Sequence, residues 1–185
     1  MGKIILVTGG ARSGKSSFAE QFVAKHGSRV GYIATSKICD EEMEYRVKLH
    51  RERRPAEWKT FEAPENAHKV IAEHGQVYDM FLFDCMTIYV SNILSTVRDI
   101  DDFDANYEIV TGKLKELIAA ILGSDATVVI VTNEVGSGIV PNNRLAREYR
   151  DLAGLANQLL AQAADRVFLV VSGIPVDIKR LAEEI

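Results

Sequence analysis

An eight-residue segment near the amino terminus constrains the fold of this chain more than any other feature. It follows an apolar run, fits the pattern G-x-x-x-x-G-K-[ST], and comprises Gly9, Gly10, Ala11, Arg12, Ser13, Gly14, Lys15 and Ser16. Glycines let such a loop curl until successive N–H groups point at phosphate oxygens, and a helix that begins near its end adds a positive dipole end. We therefore predict a phosphate-binding loop for a nucleoside triphosphate, in which Lys15 reaches the β and γ phosphates and the Ser16 hydroxyl binds Mg²⁺.

Apolar runs alternate with longer amphipathic stretches along the whole chain. Continuous β-branched runs are typical of strands buried on both faces, and they occur at residues 4–7, 30–33, 80–83, 128–131 and 167–171. Helical patterns occur at residues 16–26, 41–54, 67–73, 104–122 and 143–163, and the stretch 58–62 is a candidate for one more strand. The alternation predicts an α/β fold of the P-loop NTPase type, a RecA-like three-layer sandwich with helices on both faces of a mostly parallel sheet. Because the chain contains no linker rich in Pro, Gly or Ser, we expect residues 1–185 to form one domain.

The composition argues against several classes of protein. A formal charge of −4 gives no global attraction to nucleic acid or to an anionic membrane. The first apolar run is too short for a signal sequence or a membrane span. The two cysteines, Cys39 and Cys85, have the spacing of neither a disulfide framework nor a metal site. We therefore expect a cytoplasmic protein that does not span a membrane and does not bind nucleic acid.

A bound Mg²⁺ also needs an acidic residue, which usually lies at the end of a neighbouring hydrophobic strand. Asp84 directly follows the run at 80–83, and Glu134 comes shortly after the run at 128–131. The sequence leaves open which of the two supports the metal. For each, a solvent-exposed carboxylate that caps a helix or ends a strand is the alternative.

The segment 41–54 places one histidine on a basic helix face. Arg46, His50, Arg53 and Arg54 are spaced so that they share a single face of a helix. Arginines can hold phosphate oxygens by bidentate contacts, and their field favours the neutral, nucleophilic form of the imidazole. A neutral histidine can attack phosphorus and form a phosphoramidate. On spacing alone, however, a charged surface helix with a partly exposed histidine is the more common interpretation.

Seven segments of the chain, taken in order, resemble one enzyme family. They are residues 9–16, 32–36, 42–55, 131–136, 138–141, 143–147 and 170–173. Together they resemble the bifunctional adenosylcobinamide kinase/adenosylcobinamide-phosphate guanylyltransferase family of cobalamin biosynthesis. The Thr-Asn-Glu-Val-Gly segment and the position of His50 are much more specific than the phosphate-binding pattern alone.

The resemblance implies two reactions on one corrinoid side chain. In the first, ATP or GTP phosphorylates the terminal hydroxyl of the aminopropanol arm of adenosylcobinamide. In the second, the histidine that aligns with His50 takes GMP from GTP as a covalent intermediate and passes it to the new phosphate, which gives adenosylcobinamide-GDP. The implied catalytic residues are His50 and Lys15, and the implied metal ligands are Ser16 and Asp84. The implied nucleotide contacts beyond the loop are Ala34, Thr35, Ser36, Arg51, Glu52, Arg53, Arg54, Glu62 and Asp84.

Further expectations come from the same resemblance. Glu62 is a candidate reader of guanine, because a carboxylate can accept from the N1–H and the amino group of the base. Leu49 stands where some members carry a second histidine, and Asp84 stands where some carry Glu. The resemblance also implies a homotrimer. Independently of the resemblance, the two glycines of the loop at 135–141, Gly136 and Gly138, leave a moving lid and a static connection as equally open alternatives.

Two other functions remain possible at the level of the sequence. One is a monofunctional P-loop kinase with a different small-molecule acceptor, in which His50 only binds phosphate. The other is a RecA-like ATPase that binds nucleic acid, which the net charge and the lack of a long basic loop disfavour.

Overall fold

The computed structural model describes residues 1–37, 55–97 and 102–183, and its centre is a seven-stranded sheet. The strands are β1 (Lys3–Thr8), β2 (Val30–Ala34), β3 (Lys59–Glu62), β4 (Met80–Asp84), β5 (Thr127–Val131), β6 (Arg166–Val171) and β7 (Ile174–Asp177). Their order is β3-β2-β4-β5-β1-β6-β7, and every neighbouring pair is parallel except β6 with β7. Each apolar run identified in the sequence is a strand, as is the candidate stretch at 58–62.

Five α-helices belong to the described residues. They are α1 (Lys15–His26), α2 (Ala67–His74), α3 (Met86–Leu94), α4 (Phe103–Leu122) and α5 (Arg144–Ala163), followed by a 3₁₀ turn at Ile178–Leu181. The sequence predicts α1, α2, α4 and α5, whereas its helical pattern at 41–54 lies outside the described residues. It misses α3, because seven of the nine residues in this helix are buried and no polar face marks its period.

The strands are buried on both faces because their side chains alternate between two apolar clusters. Ile4 and Leu6 of β1 point to the cluster that contains α2, α3, α4 and α5. Ile5 and Val7 point to the opposite cluster, which is built around α1. This arrangement confirms the predicted α/β sandwich of the P-loop NTPase type, with helices on both faces of a mostly parallel sheet. No helix of the described ranges is long and apolar enough to cross a membrane.

The register of the sheet brings the predicted site residues together at the carboxyl ends of the parallel strands. Glu62 pairs with Ala34, and Ala34 pairs with Asp84 on its other side. Asp84 in turn pairs with Val131, which pairs with Val7 at the end of β1. Ligands of open parallel sheets bind at the carboxyl ends of the strands. The fold therefore places the phosphate-binding loop, Asp84 and Glu62 along the same edge.

Candidate nucleotide site

The loop between β1 and α1 has the curled backbone that the sequence predicts. Arg12 and Gly14 have positive φ angles of 56° and 94°, and Ser13 N–H donates to Gly10 O over 3.3 Å. The first N–H groups of α1 have no acceptor within the helix. Ser13 Oγ is also buried without a hydrogen-bond partner among the described residues. The loop thus offers backbone and hydroxyl donors to an anion at a helix N-terminus.

Three backbone segments hold this loop in place. Gly173 N–H, at the turn between β6 and β7, donates to Ser13 O over 2.7 Å. Glu134 N–H donates to Gly9 O over 3.1 Å. A Cβ at Gly9 would lie 2.5 Å from Val170 O, so only glycine fits against β6 at this point. The cradle is therefore built by β5 and the β6–β7 hairpin as well as by its own sequence.

Lys15 lies inside the cradle rather than in solvent. Its side chain is only 8% exposed, and its Nζ donates to Gly10 O over 3.0 Å. Burial lowers the pKa of Lys15, because desolvation disfavours the ammonium, while Cys85 and Asp84 nearby oppose that shift. A phosphate bound in the loop would supply negative charge next to this ammonium and would stabilise its protonated form.

The structure distinguishes between the two carboxylates that are candidates for supporting the metal. Asp84 ends β4 on the Lys15 side of the site, and Tyr32 Oη donates to its Oδ2 over 2.8 Å. Glu134 is exposed, and its Oε1 accepts from the N–H of Gly136 over 2.9 Å within its own loop. The geometry therefore favours Asp84 over Glu134 as the support for a metal.

The oxygens of Ser16 and Asp84 fit a magnesium ion that also binds phosphate. Ser16 is half-buried in the first turn of α1, and Asp84 lies in register with the end of β1 through Val131. Within the described ranges, no three His, Cys, Asp or Glu side chains converge on one point. Magnesium prefers oxygen ligands and is commonly held by one or two protein groups together with substrate phosphates. The donor set fits that pattern.

Thr35 serves the framework of the site with its side chain. It is fully buried, and its Oγ1 accepts from Cys85 N–H over 2.9 Å and lies 3.0 Å from Cys85 O. Asn92 Nδ2 donates to Thr35 O over 2.7 Å. These bonds join the end of β2 to the end of β4. Ala34 and Ser36 on either side are half-buried and remain the more accessible members of the predicted contact segment.

The other predicted contacts fall into two groups. Glu62 is exposed at the end of β3, which is an edge strand of the sheet among the described residues. His50, Arg51, Glu52, Arg53 and Arg54 lie outside the described residues. The loop at 135–141 has no regular structure, and Ile139 is 96% exposed.

Sequence reasoning missed a polar network just beyond the cradle. Asn133 follows β5, and its Nδ2 lies 3.4 Å from Thr87 Oγ1 in α3. Asn157 in α5 donates to Asn133 O over 3.1 Å and accepts from Thr132 Oγ1 over 2.7 Å. A signal was present in the sequence, because the polar residues Thr132 and Asn133 directly follow the apolar run at 128–131.

Comparisons with known proteins show which enzyme family the chain is similar to. The family described as cobinamide kinase/cobinamide phosphate guanyltransferase matches residues 5–178. The bifunctional adenosylcobalamin biosynthesis protein CobU of Escherichia coli is 47% identical over 181 residues, which cover 95% of this chain and 99% of that protein. CobU of Salmonella typhimurium has the same identity and coverage. CobP of Pseudomonas aeruginosa is 38% identical and covers 94% of this chain and 96% of its own length.

Among solved structures, a RadB recombinase is distantly similar, with 16% identity and a TM-score of 0.48 over 90% of this chain and 73% of that one. The family match and the CobU and CobP relatives extend over nearly the whole chain, including the loop at 9–16 and Asp84. The chain therefore belongs to the cobinamide kinase/cobinamide phosphate guanyltransferase family.

Proposed function

We propose that this protein catalyses two consecutive reactions on the side chain of adenosylcobinamide. A nucleoside triphosphate first phosphorylates the terminal hydroxyl of the aminopropanol arm, and GMP from GTP is then joined to that phosphate to give adenosylcobinamide-GDP. The observation that carries the proposal is the buried Lys15 ammonium, which rests on Gly10 O beside Asp84 in a loop shaped for phosphate. Such a site can hold one triphosphate tail for both reactions.

In the kinase step, the chain positions phosphates and balances their charge. Lys15 exchanges its bond to Gly10 O for oxygens of the β and γ phosphates, and the N–H groups at the start of α1 bind the same tail. Ser16 and Asp84 would hold Mg²⁺, which would supply positive charge to balance the negative charge of the transferring phosphate. Tyr32 orients the Asp84 carboxylate through its hydrogen bond to Oδ2.

In the transfer step, a histidine acts as the nucleophile. An uncharged imidazole nitrogen of His50 attacks the α-phosphorus of GTP, the bond from that phosphorus to the bridging oxygen breaks, and pyrophosphate leaves. An oxygen of the corrinoid phosphate then attacks the histidine-bound GMP and releases the imidazole. The loop at 9–16 supports this step by anchoring the tail, so that the α-phosphorus stays available to a residue from another segment.

Residues around the sheet edge would bind the rest of the nucleotide. Ala34 and Ser36 lie at the end of β2, and Glu62 at the neighbouring end of β3 can accept from the N1–H and the amino group of guanine. Thr35 would support this contact segment from within, because its hydroxyl, its N–H and its carbonyl oxygen all bond to the framework. The remaining proposed contacts are Arg51, Glu52, Arg53 and Arg54. A homotrimer and a cytoplasmic location complete the proposal and rest on the family resemblance.

Transfer of label from α-labelled GTP tests the covalent step. We expect wild-type protein to acquire a label that is labile to acid and stable to alkali, as a phosphoramidate is, and His50→Ala to acquire none. His26→Ala is the matched control, because this histidine is exposed at the far end of α1, where it stacks on Phe22. It should label like the wild type.

Two results would contradict parts of the proposal. Label that persists in His50→Ala would show that another residue is the nucleophile. Phosphorylation of adenosylcobinamide without any GMP transfer by the wild type would reduce the function to that of a monofunctional kinase.

A further inference from the structure

Among the described residues, the side-chain amide of Asn133 finds no hydrogen-bond partner for one of its two polar atoms. Its Oδ1 is buried and has no partner among the described residues. Its Nδ2 makes a single long contact, 3.4 Å to Thr87 Oγ1. Rotation of the amide exchanges the two atoms but still leaves one of them unpaired. A buried polar atom without a partner is unfavourable, so its presence calls for a reason.

Asn133 lies beside the phosphate cradle. The chain after β5 continues along β1, because Thr132 N–H donates to Val7 O over 2.9 Å and Glu134 N–H donates to Gly9 O over 3.1 Å. Side chains therefore keep alternating beyond the end of the strand. Val131 packs in the α1 cluster, and the Thr132 hydroxyl bonds to Asn157 of α5 on the other face. Alternation therefore assigns Asn133 to the side of the loop, where its Nδ2 reaches Thr87 at the start of α3.

The amide also lies near the groups that serve the terminal phosphate. Thr87 Oγ1, its contact, is 3.0 Å from the Sγ of Cys85. Cys85 directly follows Asp84, whose carboxylate acts electrostatically on Lys15. Because Lys15 is the residue that would serve the β and γ phosphates, this chain of neighbours links Asn133 to the γ end of the expected triphosphate.

The backbone of Asn133 is fixed from the opposite face of the sheet. Asn157 holds Asn133 O with its Nδ2 and the Thr132 hydroxyl with its Oδ1, at 3.1 and 2.7 Å. Tyr149 Oη donates to Thr87 O over 3.1 Å, so the residue that the Asn133 amide contacts is also held in place. A group supported in this way is preorganised for a ligand.

We propose that Asn133 is a catalytic residue of the kinase step, and that its Oδ1 accepts a hydrogen bond from the hydroxyl that is phosphorylated. The hydroxyl oxygen forms a bond to the γ-phosphorus, the bond from that phosphorus to the oxygen shared with the β phosphate breaks, and the nucleoside diphosphate leaves. The hydroxyl proton is released to water. Asn133 aims the attacking oxygen, and positioning of this kind is the main contribution that a protein makes to phosphoryl transfer.

The inference rests on the proposed kinase activity, and it predicts that loss of Asn133 affects the two reactions differently. The transfer step uses a different nucleophile at the α-phosphorus, away from Lys15 and Asp84. Asn133 should therefore matter for phosphorylation of the corrinoid and not for formation of enzyme-bound GMP. A purely structural asparagine would affect both reactions and the stability.

Steady-state kinase assays and GMP labelling of three variants test the assignment. We expect Asn133→Ala to lower kcat of phosphorylation about 10- to 100-fold while KM for the nucleotide and the yield of enzyme-bound GMP stay within about twofold of the wild type. Its Tm should not fall, because the change removes an unpaired buried acceptor. Asn133→Asp keeps an acceptor at the same place and should retain more kinase turnover than Asn133→Ala. Asn66→Ala is the matched control, since Asn66 is exposed and its side chain makes no capping bond to α2.

Each remaining outcome decides against the inference. Full kinase turnover in Asn133→Ala would overturn it, and so would an equal loss of phosphorylation and of GMP labelling. Turnover of Asn133→Asp at or below that of Asn133→Ala, with the KM for the nucleotide unchanged so that repulsion of the triphosphate by the new carboxylate is excluded, would contradict the role of Oδ1 as the acceptor. A wild type that phosphorylates no corrinoid would contradict the proposed function itself, which is a separate result.

Discussion

The three glycines of the phosphate-binding loop should respond very differently to alanine. A Cβ at Gly9 would meet two atoms closely, Val170 O at 2.5 Å and Ser13 Oγ at 2.6 Å. A Cβ at Gly14 would lie 3.0 Å from the Cα of Gly173, and the φ of 94° is one that side chains rarely adopt. A Cβ at Gly10 would meet no atom within 4 Å. Alanine therefore tests steric fit at Gly9 and backbone strain at Gly14, and at Gly10 it tests neither.

The geometry sets the expected free energies of unfolding. Gly9→Ala must push back a backbone carbonyl of β6, and such overpacking costs about 1–3 kcal/mol. Gly14→Ala adds the strain of a left-handed residue, about 1–2 kcal/mol, to its close contact with the β6–β7 turn. Gly10→Ala should lie within about 0.5 kcal/mol of the wild type, as most exposed substitutions do.

Urea unfolding and nucleotide binding, measured on all three variants, check this series. Because the strained residues form the wall of the cradle, we expect Gly9→Ala and Gly14→Ala to bind GTP at least about tenfold more weakly, a change of about 1.4 kcal/mol. Gly10→Ala should bind normally and serves as the control. The reasoning would be refuted if Gly10→Ala lost as much affinity as Gly9→Ala, or if Gly9→Ala unfolded and bound like the wild type.

Two further predictions concern charged groups. Lys15→Ala should lower both phosphorylation and GMP labelling at least about 100-fold, because both proposed reactions use the same triphosphate tail. Lys25→Ala, at the exposed end of α1, is the control and should lower neither. Full kinase turnover in Lys15→Ala would contradict the proposed phosphate site. Burial disfavours the charge of Asp79, but hydrogen bonds from the N–H groups of Arg29 and Ser28 outweigh it and hold the pKa of Asp79 below its usual value. Its stabilising contribution is therefore present above about pH 4 and lost as the pH falls through the lowered pKa. Asp79→Asn should reduce the unfolding free energy in urea by about 1 kcal/mol at pH 7 and by much less at pH 3, and an equal loss at both pH values would exclude the carboxylate as the cause.

The strands were predictable because their signal is local. Runs such as residues 128–131 are apolar and β-branched throughout, which identifies a strand buried on both faces without knowledge of its neighbours. The helix α3 shows the limit of this reasoning. Seven of its nine residues are buried where it packs against α4 and α5, and a helix without a broad polar face gives no clear periodic signal.

The candidate site was predictable to the extent that a pattern fixes the backbone. The loop at 9–16 carries its geometry in its glycines, so Lys15 and Ser16 could be assigned directly. The choice between Asp84 and Glu134 could not be made, because it depends on where each side chain points, and the bond of Glu134 to Gly136 appears only in the fold. The internal role of Thr35 likewise depends on Cys85 and Asn92, which are far away in the sequence.

The proposed reactions need two directions of attack on one nucleotide rather than two nucleotide sites. In the proposed site the loop would fix the phosphate tail, and Lys15, Asp84 and Asn133 would lie near its γ end from the start of α1, the end of β4 and the segment after β5. On this proposal an attacking hydroxyl would approach in line with the γ-phosphorus from the side of Asn133. The α-phosphorus lies farther along the tail, beyond these groups, and its nucleophile must come from a separate segment, which is where His50 stands in the sequence. Division of one tail between two nucleophiles explains why a chain of this length can carry two activities with a single phosphate-binding loop.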